Sequence, residues 1–171
     1  MSEQRLLDPA SLGDHVDRLY RAAWALCGRR EDAEDLVQET YAKVLARPRF
    51  LRNDDDLGYL LRVLRNVFVS QYRTAQRRPV AAATPEDLEL PDRRTGSQPH
   101  EVVEAREVFA AISALPDDFR DVLVAVDLVG LSYREAAKLL GAKEATITSR
   151  LHRARAKVAA GMESPSSGVL A

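Results

Sequence analysis

Cysteine is almost absent from this chain. Cys27 stands alone, so no disulfide can close within the molecule and no cysteine-built metal site is available. Its helical neighbourhood suits a small buried hydrophobe. Histidine is scarce as well: His15, His100 and His152 lie far apart, and no two sit at the spacing of metal ligands. No glycine-rich loop could cradle a phosphate, and no nucleophile stands beside a base. No apolar run approaches the roughly 18 residues that a membrane span needs. The first residues, Met-Ser-Glu-Gln-Arg-Leu-Leu-Asp-Pro, lack the apolar core of a secretion signal. The default expectation is a cytoplasmic protein with no membrane partner, and nothing in these absences points to a cofactor or a small-molecule substrate.

Net charge is also close to absent, at −1 over 171 residues, but the balance hides segregation. Residues 101–135 hold eight acids against three bases. From Lys143 to Lys157 the sign reverses: Lys143, Arg150, Arg153, Arg155 and Lys157 face a single acid, Glu144. A cationic helix on a near-neutral protein is the electrostatic footprint of nucleic-acid binding.

Apolar spacing of three and four residues predicts helices along most of the chain. The first runs from about Ser11 to Cys27, with Leu12, Val16, Leu19, Tyr20, Ala23, Leu26 and Cys27 on one stripe and Gly28 as its stop. The second spans Arg30 to Ala46, with Ala33, Leu36, Val37, Thr40, Tyr41, Val44 and Leu45 inward, and ends before Pro48. A connector from Arg47 to Asp56 follows, its three aspartates placed to cap a helix. The third helix, Leu57 to Arg77, turns Leu57, Leu60, Leu61, Leu64, Val67, Phe68 and Tyr72 to the core. Arg62, Arg65, Asn66, Arg73 and Arg77 share its other side.

Four prolines between residues 79 and 100 break this pattern. The segment reads as a mobile linker that could reach roughly 70 Å at about 3.3 Å per residue. The expected organisation is all-α: two small helical bundles at 1–78 and 101–162, joined by a linker at 79–100, with a tail at 163–171. In the second bundle, helices are expected up to Leu115-Pro116 and from Phe119 to Leu128. Ser132 and Glu135 then have the spacing of a capping box.

From Tyr133 to His152 the chain has the offsets of a helix-turn-helix. Ala137 is small where two helices cross, Gly141 tolerates the positive φ of the turn, and Ile147 anchors the second helix. Ile147, Leu151, Ala154 and Val158 would be buried. Thr146, Thr148, Ser149, His152, Arg153 and Lys157 are then available to base edges and phosphates of a duplex. On the third helix, Arg62, Asn66, Ser70 and Arg73 with nearby tyrosines suit a separated strand, or equally form the solvated face of an amphipathic helix. Acids crowd the second helix, where Glu31, Asp32, Glu34, Asp35 and Glu39 leave three readings open: a metal-dependent site, acids favoured by the helix dipole, or a docking surface for a basic partner.

Two separated signatures carry a family resemblance. Asp32-Ala-Glu-Asp-Leu-Val-Gln-Glu-Thr-Tyr41 and Tyr59-Leu-Leu-Arg-Val-Leu-Arg-Asn66 resemble region two of bacterial sigma factors of the extracytoplasmic-function group. Leu115-Pro116, Gly130-Leu-Ser-Tyr-Arg-Glu-Ala-Ala137 and Thr146-Ile-Thr-Ser-Arg-Leu-His-Arg-Ala-Arg155 resemble region four. The resemblance implies a transcription initiation factor that binds core RNA polymerase and directs it to promoter DNA. It places Asp32, Asp35, Gln38 and Glu39 on the polymerase, and Arg52, Asn53 and Asp54 in the loop that captures a base of the minus-ten element. It sets Arg62, Asn66, Ser70 and Arg73 near the melted strand, and Thr146, Thr148, Ser149, His152, Arg153 and Lys157 at the minus-thirty-five element. Tyr59 stands where many members carry tryptophan, and Thr148 where arginine is frequent. An inhibitory anti-sigma protein is a possible further partner. Rival classes are a stand-alone repressor or activator using the helix-turn-helix, and a metal-dependent enzyme using the acidic helix.

Overall fold

The computed structural model describes residues 5–47, 50–51, 55–77 and 99–163, except the side chains of residues 72, 75–77 and 99–103. Arg52, Asn53, Asp54, the segment 78–98 and the tail 164–171 lie outside the described residues. The fold is all-α, with helices α1 (Val16–Cys27), α2 (Arg30–Ala46), α3 (Asp56–Arg77), α4 (Pro99–Ser113), α5 (Asp117–Leu123), α6 (Tyr133–Leu140) and α7 (Glu144–Glu163).

The N-terminal bundle is α1 to α3. Its first helix does not begin at Ser11. Residues Pro9–His15 form a tight 3-10 turn, and α1 starts at Val16. Asp8 caps that turn by accepting from the Ala10 N–H at 2.9 Å, and Pro9 fixes the entry φ. Val16, expected inside, is therefore at the mouth of α1 and exposed. Gly28 stops α1 as expected, at φ 74°, with its N–H on the Trp24 carbonyl. The predicted bounds of α2 match those observed. Ala33, Leu36, Val37, Thr40 and Val44 are buried, and the Tyr41 hydroxyl donates to the Leu12 carbonyl. Leu45, also expected inside, is exposed.

Two short strands escaped the sequence reading. Strand β1 (Arg5–Leu6) pairs antiparallel with β2 (Phe50–Leu51), Arg5 opposite Leu51 and Leu6 opposite Phe50. Helix α3 follows, and the Asp55 carboxylate accepts from the Gly58 N–H at 2.9 Å to cap it.

In the C-terminal bundle, α5 continues into a π-helical turn, Val124–Leu128, so the predicted helix from Phe119 is two residues too short at its start. Ser132 caps α6 as expected. Its N–H and hydroxyl both donate to Glu135, and the Glu135 N–H donates back to the Ser132 hydroxyl. The reciprocal pair satisfies backbone donors that the helix itself leaves open.

Ser132→Ala should lower the unfolding free energy by about 1 kcal/mol, visible as a lower urea midpoint at unchanged slope. The Ser132 hydrogen bonds hold the Glu135 carboxyl below its ordinary value of 4.5. The cap's contribution is therefore full above the unfolded value and fades as pH falls through the lowered folded one. The variant should show a flatter acid dependence, and an unchanged midpoint would remove the cap from the account.

Candidate nucleic-acid and polymerase interfaces

The helix-turn-helix is α6 and α7. Ala137 is buried at the crossing, Gly141 closes α6 at φ 64°, and the Gly141 and Ala142 N–H groups both return to the Ala137 carbonyl. Ile147, Leu151 and Ala154 are buried along one side of α7. That burial fixes the rotation of the helix, and it leaves Thr148, Ser149, His152, Arg153 and Lys157 exposed, with Thr146 half-buried. Thr146, Ser149, Arg150 and Arg153 line an open depression, together with Pro116, Asp117, Asp118 and Phe119.

Not every cation on α7 faces outward unpaired. Arg150 meets Asp118 at 2.8 Å, and Arg155 makes a two-pronged pair with Asp127 at 2.6 and 2.9 Å. That pair raises the Arg155 pKa above its ordinary value. The acids of residues 101–135 thus neutralise part of the charge counted from the sequence. Lys157 sits 5.8 Å over the Phe119 ring. Arg153 makes no ion pair with a described residue.

On α2, burial of Ala33, Leu36, Val37 and Thr40 turns Asp32, Asp35, Gln38 and Glu39 to solvent. Glu39 is tied to Lys43 at 3.2 Å, and Asp32 lies 4.0 Å from Arg29. Asp35 has no ion-pair partner among the described residues. Among the described residues no three of His, Cys, Asp or Glu come together to hold a metal ion. The Cys27 thiol is pushed up to about 12 by burial first and the Asp32 charge second, so it stays protonated near neutral pH.

On α3, Arg62, Asn66, Ser70 and Arg73 are exposed. The connector positions Arg52, Asn53 and Asp54 lie outside the described residues, between β2 and α3.

The sequence reading missed the seam between the bundles. Trp24 of α1 stacks on Phe109 of α4 with ring centres 4.4 Å apart. Arg120 lies over the Phe68 ring of α3 at 5.3 Å. Ala22, Leu26, Leu61 and Leu64 face Val124, Ala125, Leu139 and Leu140 across a narrow apolar cleft. Arg65 of α3, half exposed, reaches Asp121 of α5 at 2.7 Å. Burial pushes the Asp121 carboxyl above its ordinary value, outweighing the lowering effect of Arg65. A signal existed in principle: Ala22 and Ala25 lie off the predicted α1 stripe yet are fully buried.

Arg65→Glu should open this seam by setting two carboxylates against each other, at a cost on the order of 1 kcal/mol since Arg65 is half exposed. The readout is emission from Trp24, the chain's one tryptophan, which should move to longer wavelength as it leaves Phe109. In the native chain, a carboxyl raised by burial binds its proton more tightly when docked, so acidification should favour the closed form. Identical spectra for the variant and the native protein would reject Arg65 as part of the seam.

Similarity to known proteins follows the same two bundles. The family Sigma-70 region 2 matches residues 12–78, and Sigma-70, region 4 matches residues 105–158. The chain is 37% identical over 147 residues to ECF RNA polymerase sigma factor SigE of Mycolicibacterium smegmatis, covering 82% of this chain and 56% of that protein. It is 37% identical over 146 residues to ECF RNA polymerase sigma factor EcfG of Rhodopseudomonas palustris, covering 85% and 79%. The chain therefore spans about half the length of SigE and most of EcfG. Among solved structures, the sigma factor RpoE in complex with the anti-sigma factor NepR, from Bartonella quintana, superposes with a TM-score of 0.63 at 26% identity, covering 88% of this chain and 95% of that one. CnrH in complex with the cytosolic domain of CnrY gives 0.65 at 25% identity, covering 91% and 90%. With both regions matched in order and relatives at this identity, the chain belongs to the extracytoplasmic-function group of the sigma-70 family of RNA polymerase sigma factors.

Proposed function

We propose that this chain binds core RNA polymerase and directs it to promoters, catalysing no reaction itself and working in the cytoplasm. The division of labour follows the bundles: region two at 1–78, a linker at 79–100, region four at 101–162 and a tail at 163–171. In this reading Asp32, Asp35, Gln38 and Glu39 dock on the polymerase. Thr146, Thr148, Ser149, His152, Arg153 and Lys157 read the minus-thirty-five element. Arg52, Asn53, Asp54, Arg62, Asn66, Ser70 and Arg73 hold the opened minus-ten element. The observation that carries it is the exposure of three separate polar faces, on α2, α3 and α7, each fixed in rotation by a buried stripe beneath it.

Opening by capture suits such a protein. A pocket that receives an extruded base offsets an unstacking cost of a few kcal/mol without nucleotide hydrolysis. The two elements lie about 25 base pairs apart, on the order of 85 Å at about 3.4 Å per pair. In this reading the bundles part when both elements are engaged, breaking the Trp24–Phe109 stack. The seam therefore favours weak promoter binding by the free protein, and polymerase supplies the surface that separates the bundles. Linking two weak sites through 79–100 raises the effective concentration of the second once the first is bound.

An anti-sigma protein is the expected regulator. RpoE and CnrH were each solved with such a partner or with another protein's cytosolic domain, and the apolar cleft between the bundles of this chain supports the same kind of control.

Run-off transcription with core polymerase on genomic fragments should yield discrete start sites only when the protein is present. Asp35→Arg should abolish co-purification with core polymerase while leaving the thermal midpoint unchanged; undiminished transcription would refute the docking face. If Arg153 grips a phosphate, Arg153→Ala should lower the salt slope of upstream-element binding by roughly 0.9. Equal slopes for the two proteins would take Arg153 off the DNA. Tight, specific duplex binding without polymerase would favour a stand-alone repressor or activator instead.

A further inference from the structure

Helix α3 has almost no acid of its own. Its first residue, Asp56, is buried and held by the Arg5 guanidinium at 2.6 Å and the Ser11 hydroxyl at 3.2 Å. From residue 57 to residue 77 there are four arginines, Arg62, Arg65, Arg73 and Arg77, and neither aspartate nor glutamate. The helix therefore cannot neutralise its own polar face. Arg62 has no ion-pair partner among the described residues. Arg65 has one, and it comes from the other bundle: Asp121 of α5, 56 residues away in sequence.

The pair is lopsided. The Arg65 side chain is 46% exposed and that of Asp121 only 10%. The carboxylate lies inside the seam, while the guanidinium stands at the edge of the polar face of α3. Arg65 is three residues after Arg62 and next to Asn66, and all three are exposed. At about 100° per residue, Arg62 and Arg65 lie about 60° apart around the helix, close enough to serve one ligand. The bonds of the pair, from Nε and from Nη2, fall on the same oxygen, Oδ2, each at 2.7 Å. An arginine fork matched to a carboxylate sets its two donors on two oxygens instead. Burial raises the Asp121 carboxyl in spite of Arg65, so desolvation of the acid offsets much of what the pair gains. When α5 moves away, Asp121 leaves with it, and Arg65 stays on α3 without a counterion. The anion that the guanidinium fork fits equally well is a phosphate.

We infer that Arg65 is a further ligand for the separated DNA strand, binding one of its phosphates, and that Asp121 occupies the Arg65 guanidinium in place of that phosphate while the bundles are in contact. The seam thus masks one contact of the strand face and leaves its neighbours Arg62 and Asn66 open. Parting of the bundles and strand capture are coupled through this one arginine, and each favours the other by the same factor. The inference rests on the proposed role of Arg62, Asn66, Ser70 and Arg73 at the opened minus-ten element.

The probe is the labelled non-template strand of the strongest start site mapped by run-off transcription. It is titrated over a range of salt against the chain alone and against the chain assembled with core polymerase. The salt slope counts ionic contacts and does not depend on the concentration of active protein, so a variant of lower stability still gives a reading. With polymerase, Arg65→Gln should lower the slope by roughly 0.7, the value of one phosphate on a single strand, and Arg65→Lys, which keeps the charge, should retain it. For the chain alone, Asp121→Asn removes the competing charge at nearly the same shape and should tighten strand binding about fivefold. Adding Arg65→Gln should cancel that gain. If Arg65 serves only to hold the seam, Arg65→Gln and Asp121→Asn act alike on the free chain and neither changes the slope with polymerase; that result overturns the inference. Unchanged strand binding by the free Asp121→Asn chain overturns it too, since nothing was then masked. Arg62→Gln is the control on the underlying reading. If it lowers the slope with polymerase and Arg65→Gln does not, the strand face of α3 stands and the role of Arg65 is wrong. If neither variant lowers the slope, the strand face itself is misassigned, and the inference falls with it.

Discussion

The architecture depends on α1 being thin. Ala22, Ala23 and Ala25 are fully buried, on more than one side of the helix. Methyl groups there let α2 and α3 approach on one flank while α4 and the π-helical turn approach on another. A helix surrounded in this way cannot be moved without disturbing both bundles. It explains why the two bundles share one continuous apolar core. Around that core, polar and aromatic contacts also join the bundles, among them the Arg65–Asp121 ion pair, the Trp24–Phe109 stack and Arg120 over the Phe68 ring. Such contacts are each worth little more than about 1 kcal/mol.

The charge distribution has a related logic. Asp118 and Asp127 hold Arg150 and Arg155, while Asp121 holds Arg65 of the other bundle. The acidic stretch that precedes the helix-turn-helix is an internal counterion for basic residues on two helices. Arg153 has no such partner among the described residues. This arrangement separates arginines that position α7 against its own bundle from those that can reach a ligand, a distinction that counting charges along the sequence does not make.

How much was legible follows from the range of the interactions. Features set by neighbours a few residues apart were read correctly: the bounds of α2, the stop at Gly28, the capping box at Ser132, the positive φ at Gly141 and the buried stripe of Ile147, Leu151 and Ala154. Features set by distant partners were not. A two-residue strand has no period to detect, so β1 and β2 were invisible, and with them the fate of Asp56. Val16 and Leu45 fit an apolar repeat but fall at helix ends, beyond the packed centre of the seam. Ala22 and Ala25 do not fit the single stripe, because α1 has two packed flanks and a one-face pattern describes only the first. The exposed faces of α2, α3 and α7 were readable because burial of their opposite sides dictates them.

Gly28 shows what this coupling means for variation of the chain. Its positive φ ends α1, and a Cβ there would lie 2.5 Å from the Ser113 Oγ of α4. The same missing side chain therefore serves a local task within the first module and a steric task between modules. A replacement tolerated by one task is refused by the other. In this chain the punctuation mark that ends one helix is also the notch into which the other bundle fits.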